Sequence, residues 1–189
     1  MAKSIRLRLR NVRCVWPKLF VAEEYRGQRK YSVGLLIEKD SENYKQLQEC
    51  IREAVASQFG NQDVEARIRK FKQTGVTKFP VKPFGDDDNT VLITPKLAEA
   101  KGHPRVFDQA KKIIPPEQES RIRAGYWLNA SVDVFCHNKE GGGICFYLNG
   151  VQLVKADAVL SGSGSETCDN DFEALADTGV NEAGDEDFL

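Results

Sequence analysis

From residue 5 to residue 10 apolar and cationic side chains alternate without a break: Ile5, Leu7 and Leu9 against Arg6, Arg8 and Arg10. A period of two is the repeat of a strand, so one face of this segment is apolar and the other carries three guanidiniums. That pattern commits the chain to a sheet that is covered on one side and open and basic on the other. Val12 and Cys14 extend the strand to Trp16-Pro17, where a residue without a backbone N–H is expected to end the ladder. Residues 23–30 read as a polar loop around Gly27. Residues 30–38 form a second strand, with Tyr31, Val33, Leu35 and Ile37 sharing a face. The longest alternation covers 124–136, with Tyr126, Leu128, Ala130, Val132 and Val134 set against Trp127, Asn129, Ser131, Asp133 and Phe135. The Gly-rich stretch 138–143 is a hairpin loop that returns into a last strand, 144–154.

Between these strands the period changes. Tyr44, Leu47, Ile51, Ala54 and Val55 recur at helical spacing between the N-capping pair Asp40/Ser41 and the C-capping Gly60. A second short helix begins near Asp63 and carries Val64, Ile68 and Phe71. Residues 74–90 hold Gly75, Pro80, Pro83, Gly85 and three consecutive Asp, and read as loop. Residues 91–94 and 104–107 are short strands, and Pro115-Pro116 breaks the chain. The expected fold is mainly β with a helical insertion, an OB-fold-like Greek-key barrel. Strand count and order alone also suit several α+β sandwiches.

Charge divides the chain. The last thirty-four residues, 156–189, hold ten Asp and Glu and no Lys or Arg, so residues 1–155 carry all 27 basic side chains against 18 acidic ones. A body of +9 tethered to a tail of −10 is concealed by a net charge of −1. The expected organisation is one domain over 1–155, followed by a flexible, disordered acidic tail over 156–189 that opens with Ser161-Gly162-Ser163-Gly164-Ser165. No apolar run spans a membrane, and the N-terminus does not read as a signal peptide, so a cytoplasmic protein is expected. Cys14, Cys50, Cys136, Cys145 and Cys168 lack the paired spacing of zinc ligands and read as reduced, mostly buried thiols.

A basic body calls for a polyanionic partner. Arg6, Arg8, Arg10, Arg13, Lys18, Arg26, Arg29 and Lys30 crowd the first thirty residues, with Trp16, Phe20, Tyr25 and Tyr31 between them. Guanidiniums match the phosphates of a single nucleic-acid strand, and rings match its exposed bases, each stacked base contributing roughly 1–3 kcal/mol. The other reading of Arg6, Arg8 and Arg10 is protection of an edge strand. Trp127 shares its face with Asn129, Ser131 and Asp133, so its ring either caps a corner of the core or offers a stacking platform. Lys82, Arg105 and Arg123 extend the candidate set, with Lys78, Phe84, Phe107, Lys111, Lys112 and Arg121 along the same strip. Tyr147 is a weaker stacking candidate, because its face also carries Cys145, Val151 and Leu153, which read as buried. Asp86-Asp87-Asp88 admits a metal-dependent nuclease, although three consecutive carboxylates after Gly85 also describe a turn. No phosphate loop or nucleotide fingerprint is present, and no cofactor or resident metal is expected. A third reading makes the body a protein-interaction adaptor without DNA binding.

Four blocks recur together in this order: Val15-Trp16-Pro17-Lys18-Leu19-Phe20, Lys30-Tyr31-Ser32-Val33-Gly34-Leu35-Leu36-Ile37, Gly125-Tyr126-Trp127-Leu128-Asn129-Ala130 and Gly143-Ile144-Cys145-Phe146-Tyr147-Leu148-Asn149-Gly150-Val151-Gln152-Leu153-Val154. With Val81-Lys82-Pro83-Phe84-Gly85-Asp86 and His103-Pro104-Arg105-Val106-Phe107-Asp108, they resemble the phage-type single-stranded DNA-binding protein family. The resemblance covers residues 5–155. It implies an OB-fold that coats single-stranded DNA in replication, recombination or repair in the bacterial host cytoplasm, without catalysis. It also implies an acidic tail that contacts replication or recombination proteins. Here that tail ends Asp185-Glu186-Asp187-Phe188-Leu189, with Leu189 after the aromatic residue. A homodimer is compatible with such a chain. The DNA-binding set of Arg6, Arg8, Arg10, Arg13, Trp16, Lys18, Tyr25, Arg26, Lys30, Lys82, Arg105, Arg123 and Trp127 rests on charge and alternation alone.

Overall fold

The first strand, β1, does not stop at Trp16-Pro17; it runs Ile5–Tyr25 over 21 residues. A computed structural model describes residues 3–25 and 27–160, with the side chains of Tyr25 and Asp87 left out. Two bulges let β1 bend where an end is expected. Asn11 and Trp16 take left-handed backbone angles, φ 51° and 46°. Register jumps there, between Leu9 and Val12 against one neighbour and between Val15 and Lys18 against the other. Trp16 and Pro17 together oppose the single residue Val33, so Pro17 falls in the unpaired position of a bulge and costs no ladder bond. The expected loop over 23–30 is instead a tight hairpin, pairing Glu23 with Lys30 and Tyr25 with Gln28. Its residues read as loop because the hairpin is wetted on both faces, as the exposed Lys18–Glu23 ion pair illustrates.

The chain continues through β2 (Gln28–Glu38), α1 (Glu42–Phe59), α2 (Val64–Thr74), β3 (Val81–Phe84), β4 (Asp87–Ile93), β5 (Lys96–Ala98), β6 (Arg105–Phe107), β7 (Trp127–His137) and β8 (Gly143–Lys155). The sheet order is β1-β7-β8-β5-β2-β4-β3, with β6 beside β8 and β1 also paired to β2. That last pairing closes β1-β7-β8-β5-β2 into a five-stranded barrel in which β5 meets β8 in parallel at Lys96 and Tyr147. The helical insertion follows the second barrel strand. This is the expected OB-fold-like Greek-key barrel. The stretch 74–90 departs from expectation: it holds β3 and the start of β4, a hairpin flap on the outer edge of β2.

Barrel strands point alternate residues inward, and those residues are the apolar ones. Leu128, Val132, Val134 and Cys136 of β7, Leu7 and Leu9 of β1, and Val33, Leu35 and Ile37 of β2 are at most 1% exposed. Each large aliphatic side chain so buried contributes roughly 1.5–3 kcal/mol. α1 closes one end of the barrel with Leu47, Ile51, Ala54 and Val55. The helix starts where sequence predicts, the Tyr44 N–H donating to Ser41 Oγ at 3.2 Å, and ends at Gly60. Burial pushes the Cys14 and Cys136 thiols up to about 11. Cys50 and Cys145 are half-buried and, like Cys14 and Cys136, free; Cys168 lies outside the described residues.

The last strand carries one irregularity that matters for the outer surface. Opposite β7, Ser131 pairs with Gly150 and Val132 with Leu148, leaving Asn149 as the extra residue of a bulge. Gly150 then lets β6 approach: a Cβ there would stand 2.5 Å from the Arg105 carbonyl oxygen. Gly150→Ala is therefore expected to destabilise the fold by about 1–3 kcal/mol through overpacking, read as a lower urea midpoint at unchanged m-value.

Candidate nucleic-acid interface

Strand alternation sorts the polar half of each barrel strand onto one outer surface, and register aligns those side chains in rows. Arg13, Trp127 and Lys155 form one row across β1, β7 and β8; Asn129 and Gln152 follow; then Arg8 and Ser131; then Arg6, Asp133, Tyr147 and, on β5, Lys96. The surface runs roughly 27 Å along β7 from Trp127 to Phe135, at about 3.4 Å per residue.

Across its middle lies an open groove of about 540 Å³. Arg6, Arg8 and Arg10 of β1 form one wall, and Arg105, Phe107 and Lys111 form the other. The floor is made of Asn129, Ser131, Asn149 and Gln152. No Asp or Glu belongs to the lining. Arg6 is the one partly neutralised wall cation, paired with Asp133 and donating to Ser131 Oγ at 3.3 Å. Arg8, Arg105 and Lys111 enter no ion pair among the described residues. Several cations facing one another over amides focus a positive potential that a mobile polyanion would neutralise.

The groove is held by amides. The Asn11 N–H at the β1 bulge donates to Asn129 Oδ1 at 3.0 Å, and Asn129 Nδ2 donates to Gln152 Oε1 at 3.2 Å. Gln152 Nε2 reaches the carbonyls of Asp108 and Gln109, both at 3.4 Å, in the turn that carries Lys111. The Arg10 backbone is fixed by Asn43 of α1, which donates to its carbonyl at 2.8 Å and accepts from its N–H at 3.0 Å.

At one end of the surface Trp127 is half-buried, with two cations over its ring: Arg13 Cζ at 5.5 Å and Lys155 Nζ at 5.1 Å from the centroid. Its Nε1 donates to Asp157 Oδ2 at 2.7 Å. Residues 156–160 lie against the barrel beside it, the Leu160 N–H donating to the Ala124 carbonyl at 3.0 Å. Trp16, 55% exposed, packs its ring edge against Phe84 at 6.1 Å between centroids. At the other end Tyr147 is 39% exposed, with Phe135 at 6.3 Å and Lys101 Nζ over its ring at 5.2 Å.

Of the residues expected from sequence, Arg6, Arg8, Arg10 and Arg105 come together in the groove, and Arg13 and Trp127 meet at its end. Others do not join them. Lys18 pairs with Glu23 on the projecting hairpin, Lys82 stands on the edge strand β3, and Arg123 donates to the Ser120 carbonyl near the tail root. Lys30 lies toward Cys145 of β8, where its charge offsets part of the rise that burial imposes on that thiol. Arg26, the Tyr25 side chain and Asp185, Glu186, Asp187, Phe188 and Leu189 lie outside the described residues. Tyr147 corrects the sequence reading: the Asn149 bulge reverses parity, so Tyr147 faces outward although Val151 and Leu153 face in. Asn149 lines the groove as well, outside the set expected from sequence. A Leu-Asn-Gly run within an alternating strand is the signal that marks such a bulge. Asp86 and Asp88 are exposed at the β3–β4 turn, and no group of three metal-ligating side chains gathers among the described residues.

The Asp157 carboxyl is held below its ordinary value of 3.8, first by the Trp127 indole N–H, then by the Ala158 N–H, with Arg13 and Lys155 adding attraction. A lowered carboxyl pKa means that the contact is present above the ordinary value and lost as pH falls through the depressed one. In a Trp16→Phe background, Trp127 emission should therefore show an acid transition whose midpoint lies below 3.8. In Asp157→Asn that acid transition should vanish.

The family model that describes the single-stranded DNA-binding protein of Enterobacter phage Enc34 matches residues 5–189. Protein p50 of Acyrthosiphon pisum secondary endosymbiont phage 1 is 26% identical over 166 residues, 85% of this chain and 89% of that protein. Among solved structures, the Enc34 single-stranded DNA-binding protein in complex with ssDNA superposes with a TM-score of 0.64 at 20% identity, covering 85% of this chain and 95% of that one. The fold is also that of gp2.5, a single-stranded DNA-binding protein of bacteriophage T7, with a TM-score of 0.53 at 17% identity, over 98% of this chain and all of that one. The bulged basic barrel and the family match agree: the chain belongs to the family of the Enterobacter phage Enc34 single-stranded DNA-binding protein.

Proposed function

We propose that this protein binds single-stranded DNA, without catalysis and largely without sequence preference, across the outer surface of β1, β7 and β8. One observation carries the reading: the groove of Arg6, Arg8, Arg10, Arg105 and Lys111 with no carboxylate in its lining. The walls take phosphates, and Trp127 at one end and Tyr147 at the other offer ring faces to bases. The strand thus gains charge-assisted contacts that weaken with salt and stacking that does not. Such a protein coats DNA during phage replication, recombination or repair in the host cytoplasm.

The tail over 156–189 acts as a tethered competitor, and Asp185-Glu186-Asp187-Phe188-Leu189 docks replication or recombination proteins once DNA has displaced it. The position of Asp157 supports this reading, because a carboxylate already occupies the Trp127 N–H beside Arg13 and Lys155. Removal of residues 156–189 is expected to tighten binding to single-stranded DNA, most at low salt where screening is weakest. Unchanged affinity across salt would eliminate the competition.

Anisotropy titrations against single strand, duplex and RNA at two salt concentrations test the main reading. Arg8→Ala should weaken binding and flatten the slope of log K against log salt by about one phosphate contact. Trp127→Ala should weaken oligo-dT binding by roughly 1–3 kcal/mol with the slope retained. If neither variant differs from wild type, the DNA does not bind this face. Labelled single-stranded DNA incubated with magnesium or manganese should remain intact; metal-dependent cleavage that disappears in Asp87→Ala would replace the reading with a nuclease.

A further inference from the structure

Five residues other than glycine hold a positive φ among the described residues: Asn11, Trp16, Asp63, Lys111 and Glu140. Asn11 and Trp16 make the bends of β1, Asp63 precedes α2, and Glu140 sits in the loop between β7 and β8. Lys111 alone of the five lines the basic groove.

The turn over 108–112 makes a lysine there costly. Its ends face each other, the Asp108 N–H donating to the Lys112 carbonyl at 2.8 Å and the Lys112 N–H to Asp108 Oδ1 at 2.9 Å. Gln109, Ala110 and Lys111 form the three-residue loop between them, and the Lys111 N–H donates to the Asp108 carbonyl at 3.0 Å. The third residue of such a loop is left-handed, a conformation that glycine takes without steric cost. Lys111, at φ 62°, holds a Cβ there against that preference. Nothing its side chain does inside the protein offsets the strain: it is exposed and enters no ion pair among the described residues.

The same turn is tied to the floor of the groove. Gln152 Nε2 donates to the carbonyls of Asp108 and Gln109, both at 3.4 Å, while Gln152 Oε1 accepts from Asn129 at 3.2 Å. Asn129 accepts in turn from the Asn11 N–H, beside Arg10. One line of amides therefore joins the β1 wall to the turn that carries Lys111. A backbone fixed before binding has little loop entropy left to lose when a phosphate arrives.

We propose that Gln152 is a positioning residue, holding the strained 108–112 turn so that Lys111 stands opposite the arginines of β1 for a phosphate of the bound strand. The inference rests on the reading that this groove holds single-stranded DNA. It asks for no particular base, in keeping with binding that is largely without sequence preference.

The test uses the full chain carrying Lys111→Gly, Gln152→Leu or both, beside Arg8→Ala. Affinity for oligo-dT is measured by anisotropy across salt, and each variant is melted without DNA. Lys111→Gly should melt at or above the wild-type temperature, because glycine releases the strain. It should bind about fivefold more weakly at about 0.1 M salt, the loss given by a slope of about 0.7 per phosphate contact, and its slope should fall by that amount. Gln152→Leu should lower affinity and slope in the same direction, and the combined variant should bind no more weakly than Lys111→Gly alone. Gln152→Met carries the same expectations and keeps the test open if the leucine variant does not fold. Losses that add, or wild-type binding in the folded Gln152 variant, overturn the positioning role. Wild-type affinity and slope in Lys111→Gly, with Arg8→Ala still impaired, overturn the inference and leave the groove standing. A lowered melting temperature in Lys111→Gly assigns the lysine to the fold and overturns it as well. If Arg8→Ala also binds as wild type, the groove reading itself has failed.

Discussion

The architecture depends on β1 pairing with two partners at once. Its first half bonds to β7 and its second half to β2, and Arg13 at the corner faces both Leu36 and Trp127. A straight strand cannot serve two neighbours that diverge in this way. The left-handed residues Asn11 and Trp16 supply the bend, and a bulky residue at positive φ carries strain of about 1–3 kcal/mol that the surrounding ladders must offset. The same bends shape the outer basic surface. The first directs the Asn11 N–H to Asn129, and the second turns Trp16 outward against Phe84.

Sheet alternation then divides labour without further instruction. Inward positions build a core in which no buried polar or charged residue occurs among the described residues. Outward positions on β1 gather guanidiniums whose carboxylate partners are few. Arg6 has Asp133, and the polar groups of the groove lining are otherwise cations, amides and the Ser131 hydroxyl. An arrangement of unpaired cations repels itself and weakens the free fold, and the polyanion proposed to bind there would relieve that repulsion. Asp157 over Trp127 expresses the same logic at one end of the surface, where an indole donor is met by a carboxylate.

Much of this was legible in the chain. The alternation of β7 matches its burial residue for residue, and the Ser41 and Gly60 caps bound α1 where helical spacing begins and ends. Arg6, Arg8, Arg10 and Arg105 were legible as cations, and Trp127 as a ring on a polar face. The failures share a cause. Pro17, the hairpin over 23–30, the β3–β4 flap and the parity of Tyr147 all depend on bulges or two-sided exposure, and a pattern that counts by twos loses its phase at every extra residue. Lys18 and Lys82 share the charge of the groove cations but not their place, because charge alone carries no address.

The sequence by itself determined the inward face, the helical insertion and the segregation of charge, because each follows from local periodicity or from totals. Tertiary structure alone decided which cations converge. Arg105 reaches the arginines of β1 only because Gly150 admits β6 beside β8 and because β1 closes the barrel against β7. Register and closure are set by contacts between residues far apart in the chain, and no local pattern records the distance between two strands.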